Sequence, residues 1–147
     1  MADGIPEQQE TVSAIATEKL GALLAETLSP GDVVLVSGDL GAGKTTLVRG
    51  ALRALGVTEP VTSPTFVVGL LYDGARSRIA HLDLYRLGSL DDEDPGLLDD
   101  YFGDDVITFV EWPERAAGAE LPGTRDVAAR LTLTHAGADR RVVDVSR

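Results

Sequence analysis

Val12, Ile15, Ala16, Leu20, Leu23, Leu24 and Leu28 recur at the three- and four-residue spacing of one helical face, which predicts an amphipathic helix over residues 12–28 closed by Pro30-Gly31. Val33 to Ser37 form a short continuous apolar run, the pattern of a strand covered on both faces. A glycine-rich stretch separates this run from Thr45–Leu55, which reads as a second helix ended by Gly56. Phe66–Tyr72 and Ile79–Tyr85 flank Asp73-Gly74 and predict a hairpin whose turn is longer than two residues. Side chains alternate along a strand, so His81, Asp83 and Tyr85 fall on one face while Ala80, Leu82 and Leu84 fall on the other.

Further on, Leu87–Gly103 is acidic and reads as partly helical, and Val106–Val110 is a second buried strand that ends at Glu111 and is stopped by Pro113. Val127–Thr134 and Arg141–Val145, separated by Gly137, predict a closing hairpin. Residues 1–9 carry no periodic pattern and read as a flexible tail. With no internal repeat or low-complexity segment, the 147 residues predict one α/β domain.

Composition narrows the range of functions. An apolar fraction of 44% with 25% charged residues is globular, and the longest apolar run, near Val67–Tyr72, is far too short to span a bilayer. There are no cysteines, which removes disulfides, thiolate metal sites and cysteine nucleophiles together. The start, Met1–Glu10, has no basic segment followed by an apolar one, so a cytoplasmic protein is expected. A formal net charge of −11 argues against a surface that neutralises RNA phosphates directly. Of the 13 basic residues only Lys19 and Lys44 are lysines.

Lys44 belongs to the segment with the strongest chemical signal. Gly38-Asp39-Leu40-Gly41-Ala42-Gly43-Lys44-Thr45 has the full Walker A spacing and lies between a predicted strand and a predicted helix, in the order a phosphate-binding loop requires. Its glycines let backbone N–H groups turn inward at a helix N-terminus, where the dipole favours an anion. Lys44 would reach the β- and γ-phosphates of a nucleotide, and the Thr45 hydroxyl would bind Mg²⁺. Such a site needs an acid at the end of a neighbouring strand, and Glu111 occupies that place; a solvated strand-end glutamate is the plainer reading. Asp83, on the polar face of the hairpin, could bind a metal through water or orient the attacking water, or could simply be a cap or a salt-bridge partner for Arg86. Ser63-Pro64-Thr65 follows the loop's helix where a switch segment would meet the γ-phosphate, and a plain Ser-Pro turn fits equally well. His81 is read as a core or hairpin hydrogen-bonder rather than a catalytic group, and Trp112 as a packing residue or one that stacks near the site. The acids Asp91, Asp92, Glu93, Asp94, Asp99, Asp100, Asp104 and Asp105 lack metal-loop spacing and read as a solvated or partner-facing surface.

Four segments in this order and spacing resemble the TsaE family: Gly38 to Thr46, Ser63-Pro64-Thr65-Phe66, His81-Leu82-Asp83-Leu84-Tyr85-Arg86, and Val110-Glu111-Trp112-Pro113-Glu114. The resemblance covers roughly residues 10–145 and implies a P-loop NTPase-like three-layer fold with a mixed, partly antiparallel central sheet. It also implies Mg²⁺-dependent binding and slow hydrolysis of ATP, in a complex with the TsaD and TsaB proteins that places a threonylcarbamoyl group on the adenosine beside the anticodon of tRNAs reading codons that begin with A. Contact with tRNA would run through that complex. Carried over by position, Lys44, Asp83 and Glu111 are the catalytic set, Thr45 and Glu111 the Mg²⁺ ligands, and Gly38, Asp39, Leu40, Gly41, Ala42, Gly43, Lys44, Thr45 and Thr46 hold the nucleotide with Ser13, Trp112 and Arg141. Asp91–Leu98 departs from the Glu-rich helix that the family has after its Tyr-Arg. A GTPase is excluded because the chain contains no asparagine for the guanine-reading motif, whereas a small-molecule kinase and a non-catalytic nucleotide sensor remain open alternatives.

Overall fold

A computed structural model of the chain describes residues 5–64, 68–85, 98–116 and 127–147. Seven strands form one sheet in the order β1-β7-β6-β2-β5-β4-β3. In chain order these are β1 (Gln8–Thr11), β2 (Val33–Gly38), β3 (Gly69–Asp73), β4 (Arg78–Asp83), β5 (Val106–Glu111), β6 (Val127–His135) and β7 (Arg141–Ser146), with helices α1 (Ala14–Ala25) and α2 (Lys44–Ala54). The central strand β2 runs parallel to both β5 and β6, and β4 runs parallel to β5. The flanking pairs β3–β4, β6–β7 and β1–β7 are antiparallel. The sheet is therefore mixed, as the resemblance implied.

Each element follows from local sequence, with adjustments that have physical causes. Ser13 caps α1: its backbone is extended and its Oγ accepts from the Ala16 N–H at 3.0 Å. The helix is shorter than residues 12–28 because Thr27 and Leu28 tighten into turns, donating to Leu24 and Ala25 three residues back. Val12 and Ile15 stand 65% and 66% exposed, so part of the apolar periodicity never enters the core. The hairpin turn takes four residues, since Asp73 pairs with Arg78. Beyond Asp83 the chain bends as the Asp83 carboxylate accepts from the Tyr85 N–H at 2.9 Å.

β1 was not anticipated, and it begins inside the stretch read as a tail. Gln8 and Gln9 pair with Asp144 and Val143. Its residues are polar and only Thr11 is buried, as suits an edge strand that leaves no hydrophobic pattern to read. Of the expected partly helical segment 87–103, residues 87–97 lie outside the described ones, and a single 3-10 turn at Asp99–Tyr101 follows.

One face of the sheet packs on α1 and α2 through Leu20, Leu24, Leu47, Val48, Leu52, Ile79, Ile107 and Phe109; the other is covered at Leu35, Leu82, Leu84 and Val110 by Leu98, Tyr101 and Phe102. The two helices touch backbone to backbone. A Cβ on Gly21 would lie 2.0 Å from the Leu47 carbonyl oxygen, and one on Gly50 would lie 2.0 Å from that of Glu18. This contact seats α2, and hence its N-terminus, against the sheet. Gly21→Ala gains about 1 kcal/mol of helix propensity, but the added methyl meets a backbone atom that no rotamer change can move, and overpacking costs about 1–3 kcal/mol. The expected result is a lowered urea midpoint; an unchanged or raised one would show that the helices can separate freely.

Candidate functional site

The glycine-rich loop leaves the C-terminal end of β2, between the parallel neighbours β5 and β6, and turns into α2. This is the position at which open α/β sheets bind ligands. Gly43 adopts φ 98°, a left-handed conformation, and caps α2 without a side chain, so the first N–H groups of the helix have no capping side chain over them. Lys44 projects back along the loop, where Nζ donates to the carbonyls of Gly38 at 2.5 Å and Asp39 at 2.9 Å and sits 4.2 Å from the centre of the Trp112 ring. Burial lowers the Lys44 pKa from its ordinary value, opposed by the nearby charges of Glu111, Asp83, Glu114 and Asp39.

Trp112 reaches this place through an unusual backbone. Its φ is 59°, outside the range bulky residues normally adopt, and the residue follows directly on the strand end at Glu111. The turn sends the ring over Lys44 and into contact with Tyr85, at 4.8 Å between ring centres. Packing and proximity to the site, posed as alternatives for Trp112, are both realised.

The register of the sheet assembles the acids. Glu111 pairs with Val36 of β2 on one side and with Asp83 of β4 on the other. Its carboxylate is nearly buried and accepts from the Thr45 hydroxyl, at 3.0 Å to Oε2 and 3.2 Å to Oε1. Thr45 Oγ1 also lies 2.6 Å from Ser63 Oγ, so the serine after α2 joins the site. His81 Nε2 lies 2.5 Å from Glu111 Oε2, so the histidine is a hydrogen-bonder in the core, with its partner on β5 rather than in the hairpin. Asp83 lines the same cavity; burial raises its pKa, the Tyr85 N–H counteracts this, and Glu111 adds to the rise.

Leu40, Gly41, Gly43, Lys44, Thr45, Thr46, Ser63, Asp83, Glu111, Trp112 and Arg141 line a cavity of about 270 Å³. Gly38 and Asp39 turn their carbonyls to Lys44, and Ala42 is buried beneath the loop. Arg141 reaches the loop from β7 and bonds to its carbonyls: Nε to Ala42 at 3.0 Å and Nη2 to Gly41 at 3.0 Å, with Nη1 on Ala138 and Arg140. Ser13 lies apart from this cavity and spends its hydroxyl on the α1 cap; its neighbour Ala14 borders a smaller cleft with Thr17, Gly43, Thr46, Asp139 and Arg141.

Two contacts escaped the sequence reading. Ser37 Oγ donates to Glu114 Oε2 at 3.1 Å, and Tyr85 meets Trp112. Glu114 does stand in the quoted Glu-Trp-Pro-Glu segment, but pairing across 77 residues leaves no local mark. Thr65, Phe66, Arg86 and Asp91 to Asp94 lie outside the described residues. Of the remaining acids Asp105 pairs with exposed Arg78 at 3.5 Å, in keeping with a solvated surface.

The donor set can be tested against a divalent cation. Adjacent oxygens of an octahedral Mg²⁺ shell lie about 2.9 Å apart, given metal–oxygen distances near 2.0–2.1 Å. The separations from Thr45 Oγ1 to the two Glu111 oxygens, 3.0 and 3.2 Å, fit neighbouring positions of such a shell. No group of three or more His, Cys, Asp or Glu side chains able to hold a metal occurs among the described residues. A cation here would take most of its shell from waters and a bound phosphate, as Mg²⁺ commonly does.

Among the described residues no helix is long and apolar enough to cross a membrane. Residues 11–143 match the family described as "Threonylcarbamoyl adenosine biosynthesis protein TsaE". The chain is 46% identical over 134 residues to the "tRNA threonylcarbamoyladenosine biosynthesis protein TsaE" of Nostoc sp., covering 89% of this chain and 80% of that one. Its identity to the protein of the same name from Synechocystis sp. is also 46%, over 68% of this chain and 66% of the other. The crystal structure of YdiB from Bacillus subtilis superimposes with a TM-score of 0.70 at 31% identity, covering 94% of this chain and 82% of that one. The chain belongs to the TsaE family.

Proposed function

We propose that this protein is a Mg²⁺-dependent ATPase, weak alone, that acts with TsaD and TsaB proteins in the threonylcarbamoylation of adenosine beside the anticodon of tRNAs reading codons that begin with A. The observation that carries the reading is the convergence of Lys44, Thr45, Asp83 and Glu111 on one cavity at the N-terminus of α2. The helix-terminal N–H groups and Lys44 hold the β- and γ-phosphates. Thr45 and Glu111 hold Mg²⁺, which neutralises charge on the phosphates when bound. Asp83, beside Glu111 in the paired strands, accepts a hydrogen bond from the attacking water, and ATP and water give ADP and phosphate. With a net charge of −11 the chain leaves tRNA contact to its partners.

Lys44→Ala is expected to lower ATP affinity by at least about a hundredfold, roughly 2.7 kcal/mol, while the fold persists. Trp112 is the single tryptophan and lies over Lys44, so its emission reports binding directly. A folded variant with wild-type affinity would remove the loop from the mechanism.

Asp83→Asn separates chemistry from stability. ATP affinity should stay within about tenfold, roughly 1.4 kcal/mol, while hydrolysis falls by about 10²–10⁴ as a water-orienting base is lost. The raised pKa of Asp83 means that the native state binds its proton more tightly than the unfolded chain does, so its burial costs stability as pH rises through that pKa and above it. The amide removes this cost, and the melting temperature at neutral pH should hold or rise. Intact hydrolysis would assign Asp83 to structure alone.

At the level of the pathway, hydrolysis is expected to rise sharply when TsaD, TsaB and tRNA are added. Cells depleted of the protein should lose threonylcarbamoyladenosine from bulk tRNA, read by mass spectrometry of digested nucleosides, and Glu111→Ala should fail to restore it. Normal levels in the depleted cells would refute the pathway and leave the ATPase reading standing.

A further inference from the structure

The core contains one polar atom that the fold does not explain. Among the described residues, His81 Nδ1 is the buried side-chain nitrogen or oxygen that lacks a hydrogen-bond partner. His81 is 0% exposed and Glu111 2%. The other buried hydroxyls are satisfied: Thr11 and Thr17 face each other at 2.7 Å, and Thr108 donates to the Tyr101 carbonyl at 2.6 Å. A histidine whose only role was packing would be better replaced by an apolar side chain, because a buried polar atom without a partner is destabilising.

Geometry fixes what the ring does. His81 of β4 pairs with Phe109 of β5, two residues before Glu111, so the imidazole and the carboxylate are diagonal neighbours on one face of a parallel pair. Glu111 Oε2 is a carboxylate oxygen and accepts, so the ring nitrogen that faces it, Nε2, is the donor, while Nδ1 has no partner among the described residues. The carboxylate is then held from two sides, by His81 at Oε2 and by Thr45 at both oxygens.

We propose that His81 is a positioning residue: its Nε2–H locks the Glu111 carboxylate in the orientation that meets Thr45, and thereby sets the affinity of the site for a divalent cation. The inference rests on the Mg²⁺-ATP reading above. It adds that a histidine side chain, rather than backbone alone, orients the carboxylate. Groups that hydrogen-bond a metal ligand from outside commonly change metal affinity by 10–100-fold when removed.

The test compares the full-length protein with His81→Phe, which fills the space without a donor, and His81→Gln, whose amide N–H can replace Nε2–H. Mg²⁺ is titrated into each protein saturated with ATP and read by Trp112 emission, and ATP is titrated separately in EDTA. The expected result is Mg²⁺ affinity reduced by about 10–100-fold in His81→Phe and partly recovered in His81→Gln, with ATP affinity in EDTA unchanged. Wild-type Mg²⁺ affinity in a folded His81→Phe protein would overturn the proposal. Nitrogen NMR of the wild-type ring, which needs no variant to fold, should show a protonated Nε2; a ring protonated at Nδ1 alone would overturn it equally. Absence of any Mg²⁺-dependent ATP binding in the wild type would instead refute the underlying reading.

Discussion

The parallel pairing of β2 with β5 is the constraint on which the rest of the site depends. It sets Glu111 beside Val36, two residues before the glycine-rich loop begins, so that a side chain at the end of one strand meets the first turn of the helix that follows the other. Thr45 and Glu111 are 66 residues apart in sequence and 3.0 Å apart in space. Side chains alternate along a strand, so a one-residue slip in this register would send Glu111 to the opposite face, against Leu35 and Leu82, and turn Val110 away from it. The apolar alternation that fills both faces of β5 therefore also specifies the chemistry. It carries Phe109 and Ile107 to the helical side together with Glu111.

Holding charge in that place is costly, and the structure shows where the cost falls. Lys44 is depressed toward its neutral form by burial and Asp83 is pushed toward its protonated form. Trp112 takes a backbone conformation that its side chain disfavours, and the His81 ring leaves one nitrogen without a partner. Lys44, Asp83 and His81 gather around Glu111 on one face, with Trp112 at the end of β5 reaching both this site and the apolar cluster of the other face. Such a local concentration of unfavourable terms is expected where a site is held ready for a ligand rather than optimised for folding. The backbone contact between α1 and α2 at Gly21 and Gly50 holds the helix that carries Lys44 and Thr45 close against its neighbour.

Much of this was legible in the residues. The loop announced itself by spacing, and Val33–Ser37 and Val106–Val110 by unbroken apolar runs, because those signals are local. Glu111 reads as a strand-end acid, Asp83 as an acid on the polar face of the hairpin, and Thr45 as a motif position. β1 was not legible, since Gln8–Thr11 gains its order from pairing with β7 and almost nothing from burial. The partner of His81 was equally hidden: the ring and Glu111 lie 30 residues apart, and only the β4–β5 register brings them together. Arg141 shows how a position and a role can separate. It lies at the cavity, as the resemblance implied, yet its hydrogen bonds run to the carbonyls of Gly41, Ala42, Ala138 and Arg140.

That use of Arg141 bears on how fast the proposed reaction could run. Phosphoryl transfer spreads negative charge over the moving phosphoryl group, and a free arginine near that charge accelerates related enzymes by about 10³–10⁵. The basic side chains lining this cavity, among the described residues, are Lys44 and Arg141. Lys44 is committed to the phosphates on the proposed reading, and Arg141 fixes the outward carbonyls of the loop, which keeps its N–H groups turned inward. On the proposed reading Arg141 would contribute through the shape of the loop, and the charge of the transition state would be met by Lys44, the helix-terminal N–H groups and a cation. Slow turnover alone would follow from that inventory of charge, and faster turnover would require either a further positive group or a more closed site. Both are changes that a docked partner can make on an acidic surface without altering any residue of the loop.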